Sequence, residues 1–209
     1  MMDIHTHILP GLDDGTKDAE EAVCAARQAV KYGIKVMIAT PHILPGVCNL
    51  KKNVIMESVS HLRQLLKQSQ LPLEILPGAE YYLEPELPTK LSKGELLTLN
   101  NGGRFLLIEL PEEYYPNYTE RVLFELQLGG VIPILAHPER NKILLNNPLK
   151  LAGLVQRGVL LQITSGSLVG LFGKKVKAAT ENMVVSKMVH FMASDLHGPD
   201  KRLGAVGKA

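Results

Sequence analysis

Apolar residues along this chain fall into two alternating periods. Seven short runs rich in Ile, Val and Leu, with little polar alternation, predict strands at 2–6, 35–40, 73–76, 105–110, 131–136, 159–163 and 189–193. Near-continuous apolar runs of that length suit parallel strands buried on both faces. Between them, apolar residues recur at helical spacing. Ala19, Ala22, Val23, Ala26 and Val30 mark one amphipathic helix, with Gly33 as its C-terminal cap, and Ile55, Val59, Leu62 and Leu66 mark a second. Further helices are predicted at about 118–128, ending at Gly129-Gly130, and at about 174–187. The stretch 84–103 is irregular, with room for a short helix and a small excursion.

Strand–helix units repeated about seven times imply a barrel or a doubly wound sheet. In either, functional residues gather at the C-terminal ends of the strands. The 209 residues show no repeat, low-complexity segment or linker, so a single domain over 1–209 is expected. A net charge of +2, without a long basic run or aromatic–basic interleaving, argues against a nucleic-acid partner. No apolar run is long enough to span a membrane. The opening Met-Met-Asp-Ile-His is not that of a signal peptide. Two cysteines, Cys24 and Cys48, are too few for a disulfide scaffold, and a reducing cytoplasm is the expected location.

The residues at the strand ends change the picture. The first strand ends in Asp3-Ile-His5-Thr-His7 and continues to Asp13-Asp14-Gly15; the second ends in Thr40-Pro41-His42; the third runs into Gly78-Ala79-Glu80. The fourth ends at Glu109, the fifth at His137-Pro-Glu139-Arg140, and the seventh at Ser194-Asp195-Leu-His197. Alternate residues of a strand share a face, so His5 and His7 can chelate one ion, and Asp195 and His197 can aim at one centre. A mixture of imidazole and carboxylate suits Mn, Fe, Zn or Co better than copper.

Each piece alone has a plainer explanation. An H-x-H pair need not bind metal, Asp13-Asp14-Gly15 is a turn signal, and a buried Glu109 can be a paired structural acid. His61 sits on a helix and His190 inside the last strand, so both are read as structural, as is Asp3. The joint pattern outweighs these readings, because nine candidate ligands share one edge and burying them without cations is costly. Thiolate phosphatase chemistry, with Arg six residues after Cys, does not fit: those positions hold Val30 and Val54. Cys24 is expected to pack within its helix. No Gly-x-Ser-x-Gly, Walker A or Gly-x-Gly-x-x-Gly motif is present, and Ser165-Gly166-Ser167 reads as a strand-to-helix turn.

The segments H-T-H, D-D-G, T-P-H, G-A-E, I-E-L-P, A-H-P-E-R and S-D-L-H, in this order over essentially the whole chain, resemble the PHP (polymerase and histidinol phosphatase) superfamily. Within it, Ile8 to Gly15, Ile163 to Leu168 and Ala136 to Asn141 are most similar to bacterial manganese-dependent protein-tyrosine phosphatases encoded with capsule and exopolysaccharide genes. The resemblance implies an α/β fold, a distorted (β/α)7 TIM-like barrel with three divalent metals, Mn²⁺ first and Fe, Zn, Co or Mg as alternatives. His5, His7, Glu80 and Asp195 would hold the first ion, Glu80, Glu109 and His137 the second, and Asp14, His42 and His197 the third. Arg140 and Arg202 would grip the phosphate, a task suited to the planar guanidinium fork. The implied reaction is hydrolysis of phosphotyrosine by a metal-bridging hydroxide. The implied substrate is an autophosphorylating bacterial tyrosine kinase that regulates polysaccharide export.

Family members continue through a final helix well past the S-D-x-H segment, whereas twelve residues follow His197 here, so that helix is expected to be missing. Three other readings compete. They are a PHP phosphoesterase acting on a small ester such as histidinol phosphate, an amidohydrolase (which would require a bridging lysine), and a PHP-derived module that binds partners without catalysis.

Overall fold

The computed structural model describes residues 1–199 and 201–207. Among them nine strands are parallel to their neighbours: β1 (Met2–Thr6), β2 (Val36–Ala39), β3 (His42–Ile43), β4 (Glu74–Pro77), β5 (Glu80–Tyr82), β6 (Phe105–Glu109), β7 (Ile132–Ala136), β8 (Leu160–Thr164) and β9 (Phe191–Ala193). They pair as β1-β2-β4 and β3-β5-β6-β7-β8-β9. The two sheets are one ring interrupted twice. Pro41 separates β2 from β3, and Gly78-Ala79 separates β4 from β5, so each pair is one strand position with a break in its ladder. Proline has no N–H to give such a ladder. The ring closes where Asp195 N donates to His5 O (3.0 Å) and His7 N to Leu196 O (2.8 Å). Seven strand positions result, matching the seven apolar runs.

The helices are α1 (Ala19–Lys31), α2 (Lys52–Gln68), α3 (Leu87–Ser92), α4 (Thr119–Leu128), α5 (Lys142–Leu145), α6 (Pro148–Gln156), α7 (Ser165–Leu168), α8 (Lys174–Val185) and α9 (Lys201–Val206). Asp18 caps α1 by accepting from Glu21 N, and Gly33 follows it in a left-handed conformation (φ +79°). Ile55, Val59, Leu62 and Leu66 are the buried stripe of α2, as their spacing predicts. The irregular stretch 84–103 holds α3 and a 3₁₀ turn, Leu99–Asn101.

Three expectations are corrected. Cys24 is exposed rather than packed, because the buried stripe of α1 is Ala22, Ala25, Ala26 and Ala29, leaving position 24 on the other side. His190 precedes β9 instead of lying in it, and its Nδ1 accepts from Leu161 N (3.1 Å). A short helix, α9, does follow the last strand.

Most buried apolar side chains lie between strands and helices. A second cluster, Ile4, Ile38, Leu107, Ile134, Ala136 and Ala193 with Leu76, Phe105, Leu160 and Phe191, draws on every strand position of the ring. Two residues further along the same strand faces stand polar groups: Glu109 after Leu107, Gln162 after Leu160, Asp195 after Ala193. The period-two alternation therefore carries one face from an apolar floor to a polar mouth.

Candidate metal centre

The nine residues with ligand chemistry meet at this mouth. They form four overlapping groups: His5, His7 and Asp195; His5, Glu80 and His137; His42, Glu80 and Glu109; and His7, Asp14, His42 and His197. His5 Nε2 and His7 Nε2 are 3.1 Å apart. Glu80 Oε2 lies 3.2 Å from the first and 3.4 Å from the second, and Asp195 Oδ1 lies 3.5 and 3.4 Å away. Glu80 faces all sides of the cluster, since its Oε1 is 3.0 Å from His137 Nε2 and its Oε2 is 3.0 Å from His42 Nδ1. Glu109 reaches both His42 (3.6 Å) and His137 (3.7 Å). Asp14 is the most exposed member and faces His197 (3.3 Å) and His42 (3.5 Å).

Hydrogen bonding behind the cluster fixes how the rings present themselves. His5 Nδ1 donates to Gln162 Oε1 (2.7 Å), whose amide nitrogen is turned to Ile163 O. His7 Nδ1 donates to Asp13 Oδ2 (2.6 Å), which also accepts from His42 N (3.0 Å). With both Nδ1 atoms donating outward, the two rings present their Nε2 atoms toward each other and toward two carboxylate oxygens. Glu80 Oε2 is buried with no hydrogen-bond donor. Two imidazole nitrogens and two carboxylate oxygens thus converge in one buried site, and this donor set fits a divalent metal.

The local backbone is built for this convergence. His137 (φ +30°) and Asp195 (φ +52°) adopt left-handed conformations uncommon outside glycine, at the ends of β7 and β9. Gly15 closes the loop over His7, where a Cβ would lie 2.0 Å from His7 O.

Charge is set by the same contacts. Burial opposes charge on Glu80, but the imidazoles of His5, His137 and His42 around it outweigh it and hold the carboxyl well below its usual range. Asp195 is likewise depressed, against burial, by His5, His7 and Arg140. Glu109 is raised by burial and by the neighbouring Glu80. His7 rises well above the ordinary value, since bonds to Asp13, Asp195 and Glu80 overcome burial. Burial and the His7 charge push His197 down to about 4.

Asp195 divides the cluster from two arginines. Its Oδ1 faces the imidazoles, while its Oδ2 accepts from Arg140 (2.5 Å) and Arg202 (3.0 Å). Arg140 also donates to Thr164 Oγ1 (3.3 Å), and Arg202 reaches Asp195 O (2.9 Å) and His197 Nδ1 (2.6 Å). Asp3 stands behind the cluster, accepting from Ser194 N and His5 N. His61 is exposed on α2.

Asp13, Gln162 and Glu139 did not emerge from the sequence as site residues. Glu139, fully buried, accepts from Thr164 N (2.9 Å) and Ser167 Oγ (2.7 Å), tying the Arg140 turn to β8 and α7. A single glutamine inside the apolar run Val159–Thr164 was the signal for Gln162; Asp13 and Glu139 sat within motifs already noted.

Fold and mouth together define a parallel α/β barrel with a candidate metal centre at the C-terminal ends of its strands; the histidinol phosphate phosphatase of Lactococcus lactis shares the fold (TM-score 0.62, 12% identity, 100% of this chain and 91% of that one). The chain belongs to the CpsB/CapC family of capsular polysaccharide synthesis, whose family model matches residues 1–209. It is 43% identical over 202 residues to the tyrosine-protein phosphatase YwqE of Bacillus subtilis, spanning 97% of this chain and 79% of the relative. It is 31% identical over 207 residues to the tyrosine-protein phosphatase CpsB of Streptococcus pneumoniae, spanning 97% and 85%. A crystal structure from work on YwqE and CpsB, described as unique metal-dependent tyrosine phosphatases, superposes with a TM-score of 0.92 at 43% identity, covering 97% of this chain and 81% of that one. No helix among the described residues is long and apolar enough to cross a membrane.

Proposed function

We propose that this protein is a metal-dependent protein-tyrosine phosphatase acting, as one catalytic domain over residues 1–209, on an autophosphorylating bacterial tyrosine kinase that controls capsule or exopolysaccharide synthesis. The observation that carries the reading is the convergence of His5, His7, Glu80 and Asp195 on one point, with Arg140 and Arg202 on the far oxygen of the same Asp195. The phosphatase activity named for YwqE and CpsB supports the substrate. The place of action is the cytoplasm, where such a kinase carries its phosphotyrosines.

His5, His7, Glu80 and Asp195 would hold one ion, Glu80, Glu109 and His137 a second, and Asp14, His42 and His197 a third, with Mn²⁺ as the native metal. Bound divalent ions supply Lewis acidity, bring the proton affinity of water toward neutrality and offset phosphate charge. The chain's own residues do the rest. Asp13 and Gln162 hold the His7 and His5 rings with Nε2 inward. Arg140 and Arg202 bind and orient the phosphate by charge-assisted hydrogen bonds, from positions already fixed by Asp195. The departing phenolate, of pKa about 10, needs less protonation than an alkoxide. Thiolate attack has no support: Cys48 Sγ is turned to Leu12 O, and burial with Asp13 and Asp14 pushes its thiol up.

The test is phosphate release from a tyrosine-phosphorylated peptide after metal stripping and Mn²⁺ addition, with and without a thiol-alkylating agent. Restored release that survives alkylation is expected. Faster release from histidinol phosphate than from any phosphopeptide would overturn the substrate assignment, and inactivity with every divalent metal would overturn the catalytic one.

A further inference from the structure

Arg140 has two neighbourhoods. One of its terminal nitrogens points to Asp195 at the metal centre, while the guanidinium carbon lies 4.0 Å from the ring centre of Phe172. Phe172 also lies 5.7 Å from the guanidinium of Arg202, so one aromatic ring supports both phosphate-gripping residues. Beside this ring is a cavity of about 430 Å³ lined by Arg140, Lys142, Phe172, Lys175, Val176 and Glu112. It shares the Arg140 wall with the metal centre, and its lining carries three cations against one acid.

The lysines are placed against local stability. Lys174 and Lys175 open α8 and Lys177 follows within the next turn, with no acid in the first turn and no side-chain cap on Gly173. Cations at that end of a helix are opposed by its dipole and by each other. Lys175 is exposed and has no ion pair among the described residues. Lys142 is paired with Glu113 (2.6 Å), but with both side chains more than 60% exposed the pair is weakly held and readily exchanged. An anionic group in the cavity would relieve this crowding. Phe172 and Val176 would take the apolar part of whatever carries it.

We propose that this cavity is a specificity subsite that reads a second anionic side chain close in sequence to the phosphotyrosine being hydrolysed. The group is either an acidic residue or a further phosphotyrosine. The inference rests on the phosphatase reading and names the substrate class for the same site. Arg140 grips the reacting phosphate on one side, and Lys142 and Lys175 engage the neighbouring anion on the other. Residues of an extended peptide are spaced by about 3.3 Å, so a near neighbour of the phosphotyrosine falls within reach of an adjoining cavity.

The experiment uses the metal-loaded full chain and three peptides with one common phosphotyrosine: neutral flanks, acidic flanks, and a second phosphotyrosine. kcat/KM is measured for the wild type, Lys175→Glu and Lys142→Glu. The wild type should favour at least one anionic peptide over the neutral one by about fivefold, and high salt should shrink the difference. Which anionic peptide is favoured distinguishes carboxylate from phosphate. Both exposed-site variants should erase the preference while turning over the neutral peptide at the wild-type rate. Equal kcat/KM on all three peptides, or a preference untouched by both variants, would overturn the subsite alone. Inactivity of the wild type on every phosphopeptide would overturn the phosphatase reading as well.

Discussion

Asp13 Oδ2 stands 2.6 Å from His7 Nδ1 and 3.0 Å from the backbone nitrogen of His42, so one buried carboxylate fixes two histidines of the cluster. Carboxylates behind metal-ligating histidines set ring orientation and basicity, and losing one costs about 10- to 100-fold in metal affinity. Asp13→Ala is therefore expected to weaken Mn²⁺ binding by that factor, measured by calorimetric titration. Wild-type affinity in the variant would reduce Asp13 to a turn residue.

The same pair gives the metal-free protein an acid limb. Burial raises the Asp13 carboxyl, but the His7 hydrogen bond and charge outweigh it and hold it at about 2, against an ordinary 3.8. A depressed carboxyl stabilises the fold at pH above its unfolded value. The contribution, on the order of 2 kcal/mol, should be lost as pH falls from about 4 to about 2. Urea midpoints across that range should fall less steeply for metal-free Asp13→Asn than for metal-free wild type; parallel curves would contradict the assignment.

Metal should also stabilise the folded chain. A ligand that binds only the native state at 100 times its Kd adds about 2.7 kcal/mol. For a domain of about 200 residues that corresponds to a rise in Tm of roughly 5–10 °C. Calorimetry of stripped protein titrated with Mn²⁺ should show a rise of that order, reversed by chelator. An unchanged Tm at saturating metal would speak against a cation at the His5–His7–Glu80–Asp195 point.

Removing a residue of the cluster and removing an arginine should look different kinetically. Asp195→Ala and His137→Ala are expected to abolish turnover while leaving the fold largely intact by circular dichroism. Arg140→Ala should mainly raise KM, since a hydrogen bond to a charged group contributes about 1.5–3 kcal/mol, or roughly 10- to 100-fold in kcat/KM. A full-rate, metal-loaded Asp195→Ala enzyme would remove that residue from the site.

The architecture was legible because buried parallel strands need undivided apolar runs, and five histidines gathered at four strand ends have no packing explanation. What escaped has a common cause in distance or backbone. Gln162 and His5 are 157 residues apart, and no local pattern announces their hydrogen bond. The breaks at Pro41 and at Gly78-Ala79 turned two expected strands into four, since a ladder interruption leaves the apolar pattern unchanged. The left-handed backbone of His137 and Asp195 had no local signal, since Asp and His adopt it only occasionally and tertiary contacts decide where.

Glu139 offers the sharpest separation of support from chemistry. It makes no side-chain hydrogen bond to a candidate ligand among the described residues, yet its Oε1 is the acceptor for Thr164 N and Ser167 Oγ, and Thr164 Oγ1 in turn accepts from Arg140. Glu139→Ala leaves those buried donors unpaired and opens a small void, at a cost of about 3 kcal/mol. Freed from Thr164, Arg140 should hold phosphate less well, so KM should rise more than kcat falls. Glu139→Gln keeps the acceptor oxygen and should recover most of both losses. A Gln variant as unstable as the Ala variant, or a kcat loss with unchanged KM, would show that Glu139 does not act through Thr164 and Arg140.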